Sequence, residues 1–126
     1  RLFFHSPLFA TPPTPISLLL IPDDDRGGQG VAPVEHRVLE GVALALADDQ
    51  VTVNAIAPGR FYSEMTRGAW QDPEKESFKA ELQRIPAHRY GDREDIAGVA
   101  VMLCSRAGAY FTGEVLNLDG GHRLRR

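Results

Sequence analysis

The run Val51–Ser63, reading V-T-V-N-A-I-A-P-G-R-F-Y-S, constrains the fold more than any other stretch of this chain. Apolar and small residues continue without a charge from Val51 to Ala57, and Pro58-Gly59 then stops the pattern. A run of that kind suits a strand buried on both faces of a parallel sheet. Strands of a parallel sheet are joined by helical crossovers, so helices are expected on either side of it in the sequence. In open sheets of this type ligands bind just beyond the carboxyl ends of the strands. The residues after Pro58-Gly59, a loop that reaches a hydroxyl at Ser63, are therefore where a cofactor would lie.

The neighbouring segments supply those helices. From Glu35 to Ala47, Val38, Leu39, Val42, Ala45 and Leu46 recur at helical spacing, and Asp48-Asp49-Gln50 ends the pattern. Asp72 suits a helix cap and Pro73 a first helical position, predicting a charged rim helix that runs to about Arg84, before Pro86. The face Glu74–Glu81, with its lysines, reads as solvated. Asp92 and Asp95 form a capping-box-like pair at the start of a third helix. Its apolar stripe is Ile96, Val99, Ala100 and Leu103, with Cys104 beside it as a core filler. Tyr110–Gly113 reads as a turn and Val115–Leu118 as a second strand ending at Asp119-Gly120-Gly121. Helix, strand, helix, helix, strand is an α/β order, and the expected architecture is a doubly wound parallel sheet.

The first 34 residues have a different character, so we divide the chain at 34/35. Arg1–Pro22 is apolar in patches but is broken by Pro7, Pro12, Pro13, Pro15 and Pro22, which forbids a helix across it. Ile16–Ile21 is the one plausible strand there, and the short apolar run followed by Asp23–Asp25 does not suit a signal peptide. A chain that starts at Arg1 rather than Met reads as a fragment, a processed form or a trimmed piece. Gly27, Gly28 and Gly30 have the wrong spacing for the G-x-G-x-x-G turn that cradles a pyrophosphate.

Composition narrows the partners. The formal net charge is -3 and the pI about 5.8, which argues against a nucleic-acid partner. Arg123, Arg125 and Arg126 read as a small solvated basic tail. Cys104 is the only cysteine, so neither a disulfide framework nor a thiolate metal cluster is available, and a reducing, cytoplasmic setting is expected. No apolar stretch reaches the roughly 18–20 residues that span a bilayer.

Four linked pieces resemble the C-terminal half of the short-chain dehydrogenase/reductase family. Val51–Gly59 looks like its sixth strand and Pro-Gly turn, and Ile85-Pro86 with Arg89–Ala97 looks like the start of its next helix. Thr112–Gly121 looks like its last strand, and the resemblance spans Leu39 to His122. Ala57–Phe61 with Ser63 and Met65–Arg67 resembles the 3-oxoacyl-[acyl-carrier-protein] reductase branch in particular. The resemblance implies the C-terminal part of a Rossmann fold whose first strands are missing. It also implies NAD or NADP as cofactor, and hydride transfer between NAD(P)H and a small-molecule ketone or alcohol, 3-oxoacyl thioesters among them. By the same resemblance Pro58, Gly59, Arg60, Phe61 and Ser63 are the cofactor-binding residues, with the backbone of Arg60 and Phe61 meeting the nicotinamide carboxamide. Gly59 would let backbone approach the ring, and Ser63 replaces a threonine that bonds the carboxamide. Asn54 would be structural, Tyr62–Arg84 a lid over substrate, and Asp92–Ser105 with Val115–Leu118 a homo-oligomer interface.

The chemistry itself is missing from the sequence. The family's proton-transferring tyrosine falls on Ala32, its lysine on His36, and its serine near Leu19. Tyr62, Tyr90 and Tyr110 are followed four residues later by Thr66, Glu94 and Glu114, so no Tyr-x-x-x-Lys exists. His36 reads as an exposed helix-start histidine, since its neighbour Glu35 points elsewhere on a helix. His122 reads as a surface residue near the C-terminus, while Tyr90 and Trp70 read as packing residues. Two functions follow: a piece of an NAD(P)-dependent oxidoreductase, inactive alone, or a catalytically dead relative that acts as an interaction module.

Overall fold

The computed structural model describes the backbone of residues 17–20 and residues 33–62 and 74–125. The elements run β1 (Ser17–Leu20), α1 (Pro33–Leu46), β2 (Val53–Pro58), α2 (Glu76–Arg84), α3 (Arg93–Leu103) and β3 (Val115–Leu118). Short 3-10 turns follow α3, at Arg106–Gly108, and β3, at His122–Leu124. The three strands form one parallel sheet in the order β1-β2-β3, with Ser17 opposite Val53 and Ala55 opposite Val115. The α/β order expected from periodicity is present, and the strand expected at Ile16–Ile21 pairs with β2.

β2 is the centre of the sheet because both of its faces are covered. Val53 and Ala55 meet Leu39 and Ala43 of α1, with Leu46, Val51 and Val115 around them. Alternate residues of a strand point to opposite faces. The other face carries Asn54 and Ile56, both fully buried. α3 is the other helix in contact with β2 and buries Leu103. A second core lies beside the sheet, where Phe78 and Leu82 of α2 close on Ile85 and Tyr90.

Asn54 sets how β3 lies on β2. Its Nδ2 donates to the Phe111 carbonyl at 2.8 Å, and its Oδ1 accepts from the Glu114 amide at 3.2 Å. The same stretch is tied by the Val53 amide to Thr112 Oγ1 at 3.2 Å and by the Gly113 amide to the Val53 carbonyl at 2.7 Å. Asn54 is therefore the structural strand residue the resemblance implies.

Several sequence expectations are corrected. α1 is apolar on two sides: Leu39 and Ala43 face the sheet, while Val38 and Val42 face outward and are 60% and 43% exposed. Helical spacing identifies a stripe but not which stripe finds a partner. α2 begins at Glu76 with extended Lys75 as its cap, so Pro73 is not its first residue. Cys104 is exposed, because it caps α3 one position past the buried Leu103 and leaves the apolar stripe. His122 is buried rather than on the surface, since a turn led by left-handed Gly121 folds it back. The capping box expected at α3 is present in both directions, with the Asp95 amide on Asp92 at 3.0 Å and the Asp92 amide on Asp95 at 2.9 Å. No described helix is long and apolar enough to cross a membrane.

Replacing Asn54 by Ala strands the Glu114 amide and the Phe111 carbonyl in a partly buried seam. An unsatisfied buried group costs about 1–3 kcal/mol, so a loss of about 2–4 kcal/mol in urea denaturation is expected. An unchanged midpoint would show that β3 is placed by other contacts.

Candidate cofactor-side site

β2 and β3 end together. Pro58 is opposite Leu118, and the Gly59 amide extends the ladder by donating to the Leu118 carbonyl at 2.9 Å. The loop that starts here leaves the carboxyl edge of the sheet, the position expected for a ligand. Gly59 has a reason within the chain to lack a side chain. A Cβ there would lie 2.6 Å from the Cα of Asp119, a backbone contact that cannot move aside locally.

The next three residues are held by a second strip of backbone. Phe61 forms a parallel bridge with Gly91. The Gly91 amide donates to the Arg60 carbonyl at 2.8 Å, and the Tyr62 amide donates to the Gly91 carbonyl at 3.2 Å. Gly91 is a cradle for the Phe61 ring, since a Cβ would fall 2.4 Å from it. Asp119 organises the opposite wall. Its carboxylate accepts from the Gly121 amide at 2.9 Å and from the Arg123 amide at 3.0 Å, fixing the turn that ends β3.

A cleft of about 110 Å³ opens between these loops, lined by Phe61, Ala87, Leu118 and Gly120 and by the charged Arg60, Arg89, Asp95 and Asp119. Each of these charged groups already has a partner within the protein, Arg60 in Glu81 and Asp119 in the turn amides. Arg89 grips Asp95 with both terminal nitrogens, at 2.6 and 2.7 Å, and also donates to the Tyr90 carbonyl at 3.0 Å. The guanidinium, with the Asp92 amide, holds the Asp95 carboxyl well below the usual carboxylate range. The cleft therefore combines apolar side chains and backbone with charged groups that are already paired.

Below the loop, Arg60 Nε lies 3.1 Å from Glu81 Oε1, although Glu81 belongs to the stretch read as solvated. Glu81 is 7% exposed, because it falls on the α2 face that carries Phe78, Leu82 and Ile85. That spacing was the available signal for its burial. Lys79, in contrast, is half-exposed and close to Glu74 and Glu76, as a solvated face requires. Tyr90 packs, as read from the sequence, with ring centroids 5.1 Å from Tyr62 and 5.6 Å from Phe78. Its buried hydroxyl makes no hydrogen bond, and burial, reinforced by the Glu81 charge, raises its pKa.

The structure thus brings Pro58, Gly59, Arg60 and Phe61 to one edge of the sheet, while Ser63 lies outside the described residues. So do Ala32, Trp70, Met65–Arg67 and the three glycines between 27 and 30. His36 lies on α1 and faces Glu40 one turn on, at 3.3 Å, not Glu35. No group of three His, Cys, Asp or Glu able to hold a metal occurs among the described residues.

A parallel sheet with crossover helices and loops gathered at its carboxyl edge is a partial Rossmann fold. A family model described as enoyl-(acyl carrier protein) reductase matches residues 36–123, and the chain belongs to the short-chain dehydrogenase/reductase family. The rhamnolipids biosynthesis 3-oxoacyl-[acyl-carrier-protein] reductase of Pseudomonas aeruginosa is 42% identical over 89 residues, covering 71% of this chain and 34% of that protein. The 5-keto-D-gluconate 5-reductase of Escherichia coli is 43% identical over 82 residues, covering 64% and 31%. Among solved structures, the P. aeruginosa RhlG/NADP active-site complex superposes with a TM-score of 0.64 at 40% identity, covering 71% of this chain and 35% of that one. The chain thus spans about a third of the length of these relatives.

The Asp95 carboxylate predicts an acid dependence. A depressed pKa means that the unfolded state binds more protons as pH falls below the ordinary carboxylate range, so the contribution is present above about pH 4 and lost below it. Melting temperatures across about pH 5 to 2 should fall more steeply for the wild type than for Asp95→Asn. Parallel curves would show that the Arg89–Asp95 contact is not maintained in solution.

Proposed function

We propose that this chain is the nicotinamide-side part of an NAD(P)-dependent oxidoreductase that reduces a ketone, with 3-oxoacyl thioesters as the favoured substrate class. Pro58, Gly59, Arg60 and Phe61 form its cofactor-facing loop and Ser63 supplies a hydroxyl to the carboxamide. The carrying observation is that loop's place at the carboxyl edge of β2, pinned by Leu118, Asp119 and Gly91. The glycine backbone and the Phe61 ring, beside charged groups that are already paired, fit a flat ring with a polar amide edge. When bound, the reduced nicotinamide supplies the hydride. This chain's residues bind and orient that ring, while α2 and the residues before it cover the substrate. NADP is favoured over NAD by the NADP complex of the similar P. aeruginosa structure. The division at 34/35 and a cytoplasmic setting belong to the same proposal.

No Tyr-x-x-x-Lys is present in the sequence, so the chain on its own should not turn over. The test is NADPH fluorescence with a 3-oxoacyl thioester, together with amide NMR during an NADPH titration. We expect no NADPH consumption, and weak shifts confined to residues 58–62. Consumption would overturn the inactivity, and a loop silent at millimolar NADPH would overturn the cofactor assignment.

The second function, self-association, has its own support. β3 is the last strand of the described sheet, so one of its edges is unpaired. Val101 on α3 is 67% exposed, and α1 adds Val34 at 72% and Leu44 at 79%. We propose a homo-oligomer through the 92–105 helix and the 115–118 strand. Sedimentation should show a mass that rises with concentration, and Val101→Lys should lower it; a monomer at every concentration would refute the interface.

A further inference from the structure

α2 carries a charge where its packing calls for an apolar residue. Phe78, Leu82 and Ile85 build the second core, and Glu81 falls on the same face, one helical turn before Ile85. The carboxylate is buried, and among the described residues two cations lie near it, Arg60 Nε at 3.1 Å and Arg84 Nη1 at 3.7 Å. Arg84 lies on α2 itself and is 70% exposed, so it ties Glu81 to nothing else. Arg60 lies in the loop after β2 and is less exposed, at 32%. The pair therefore joins two separate elements.

A buried carboxylate is costly unless a cation meets it in one geometry. An apolar side chain at position 81 would let α2 rest on the loop in several arrangements; a charge selects the one that reaches Arg60. The loop is equally dependent on its surroundings. Arg60 and Tyr62 bond to Gly91, and the Tyr62 ring packs at a tilt against Tyr90, which in turn packs at a tilt against Phe78 of α2. Backbone bonds to Gly91 on one side and the ion pair on the other hold the same three residues.

We infer that Glu81 is a positioning residue for the loop Gly59–Tyr62. Through Arg60 it makes α2 and that loop one mechanical unit. If the loop faces the nicotinamide and α2 the substrate, as proposed above, the two ligands are set in register by this contact. Only that last step rests on the proposed function; the coupling itself needs no cofactor.

Hydrogen–deuterium exchange on the full chain without nucleotide tests it. In Glu81→Gln the amides of Tyr62 and Gly91 should lose about tenfold or more of their protection, while Ala55 and Gly59 in the β2–β3 ladder keep theirs. Arg60→Lys, which keeps the charge opposite Glu81, should retain most of the wild-type protection at Gly91. If Glu81→Gln does not fold, Arg60→Met/Glu81→Met removes both charges and keeps the packing, and it should free the same two amides selectively. Equal protection in that double variant and the wild type, or a uniform loss across the ladder in Glu81→Gln, overturns the inference. An NADPH titration that fails while this pattern holds would remove the cofactor assignment and leave the coupling standing.

Discussion

One buried amide governs the geometry of the site. Asn54 is the second residue of β2 and fully buried, and among the described residues its two ends are satisfied by Phe111 and Glu114. That requirement places the segment before β3 against β2 and so fixes Ala55 opposite Val115. Register in a parallel pair propagates, so Pro58 and Leu118 end their strands side by side. Gly59 and Asp119 then meet closely enough that a single methyl group would not fit. A slip of one residue would turn every side chain of β3 to the other face and break this meeting.

The loops are held in tiers. The sheet and α1 share a core that needs nothing from α2. The α2 core, with Ile85 and Tyr90, touches the sheet through the loop after β2 and the turn after β3. A Cβ on Gly120 would press on Ile85 at 2.8 Å, and the Ala87 amide donates to the Gly120 carbonyl at 3.0 Å. Arg125 adds a hydrogen bond to the Gln83 carbonyl, a cation at the carboxyl end of α2, where the helix dipole favours it. Both loops at the carboxyl edge thus depend on the second core as much as on the strands that carry them.

What was legible in the sequence was local or periodic. Asp92 and Asp95 are three residues apart, and the capping box they form needs nothing distant. The apolar run into Pro58-Gly59 declares a buried strand and its end. What was illegible depended on partners far along the chain. Val38 and Leu39 are equally apolar, and only the position of β2 decides that Leu39 is covered. Cys104 misses the core by one residue because α3 stops. Glu81 reads as one more charge on a charged helix; its spacing from Phe78 and Ile85 marks the buried face, but its partner Arg60 lies twenty-one positions earlier and is not marked. Nothing local to Arg89–Ala97 marks Gly91 as the residue that receives the Phe61 ring.

The same placement bears on proton transfer. Reduction of a carbonyl needs a donor within hydrogen-bond reach of the developing oxyanion, with a pKa near the working pH. Tyr110 precedes the amino end of β3, at the opposite end of the sheet from the ligand-facing loops. Tyr90 is near the loop, but burial and the Glu81 carboxylate push its pKa in the direction that makes a phenol a weaker acid. Tyr62 is half-exposed and stacked on Tyr90, and no lysine lies four residues beyond any of the three. His36, at the position the family gives to its lysine, is turned along α1 toward Glu40. Among the described residues, then, none of the three tyrosines has the lysine partner or the placement that a proton donor to a carbonyl needs.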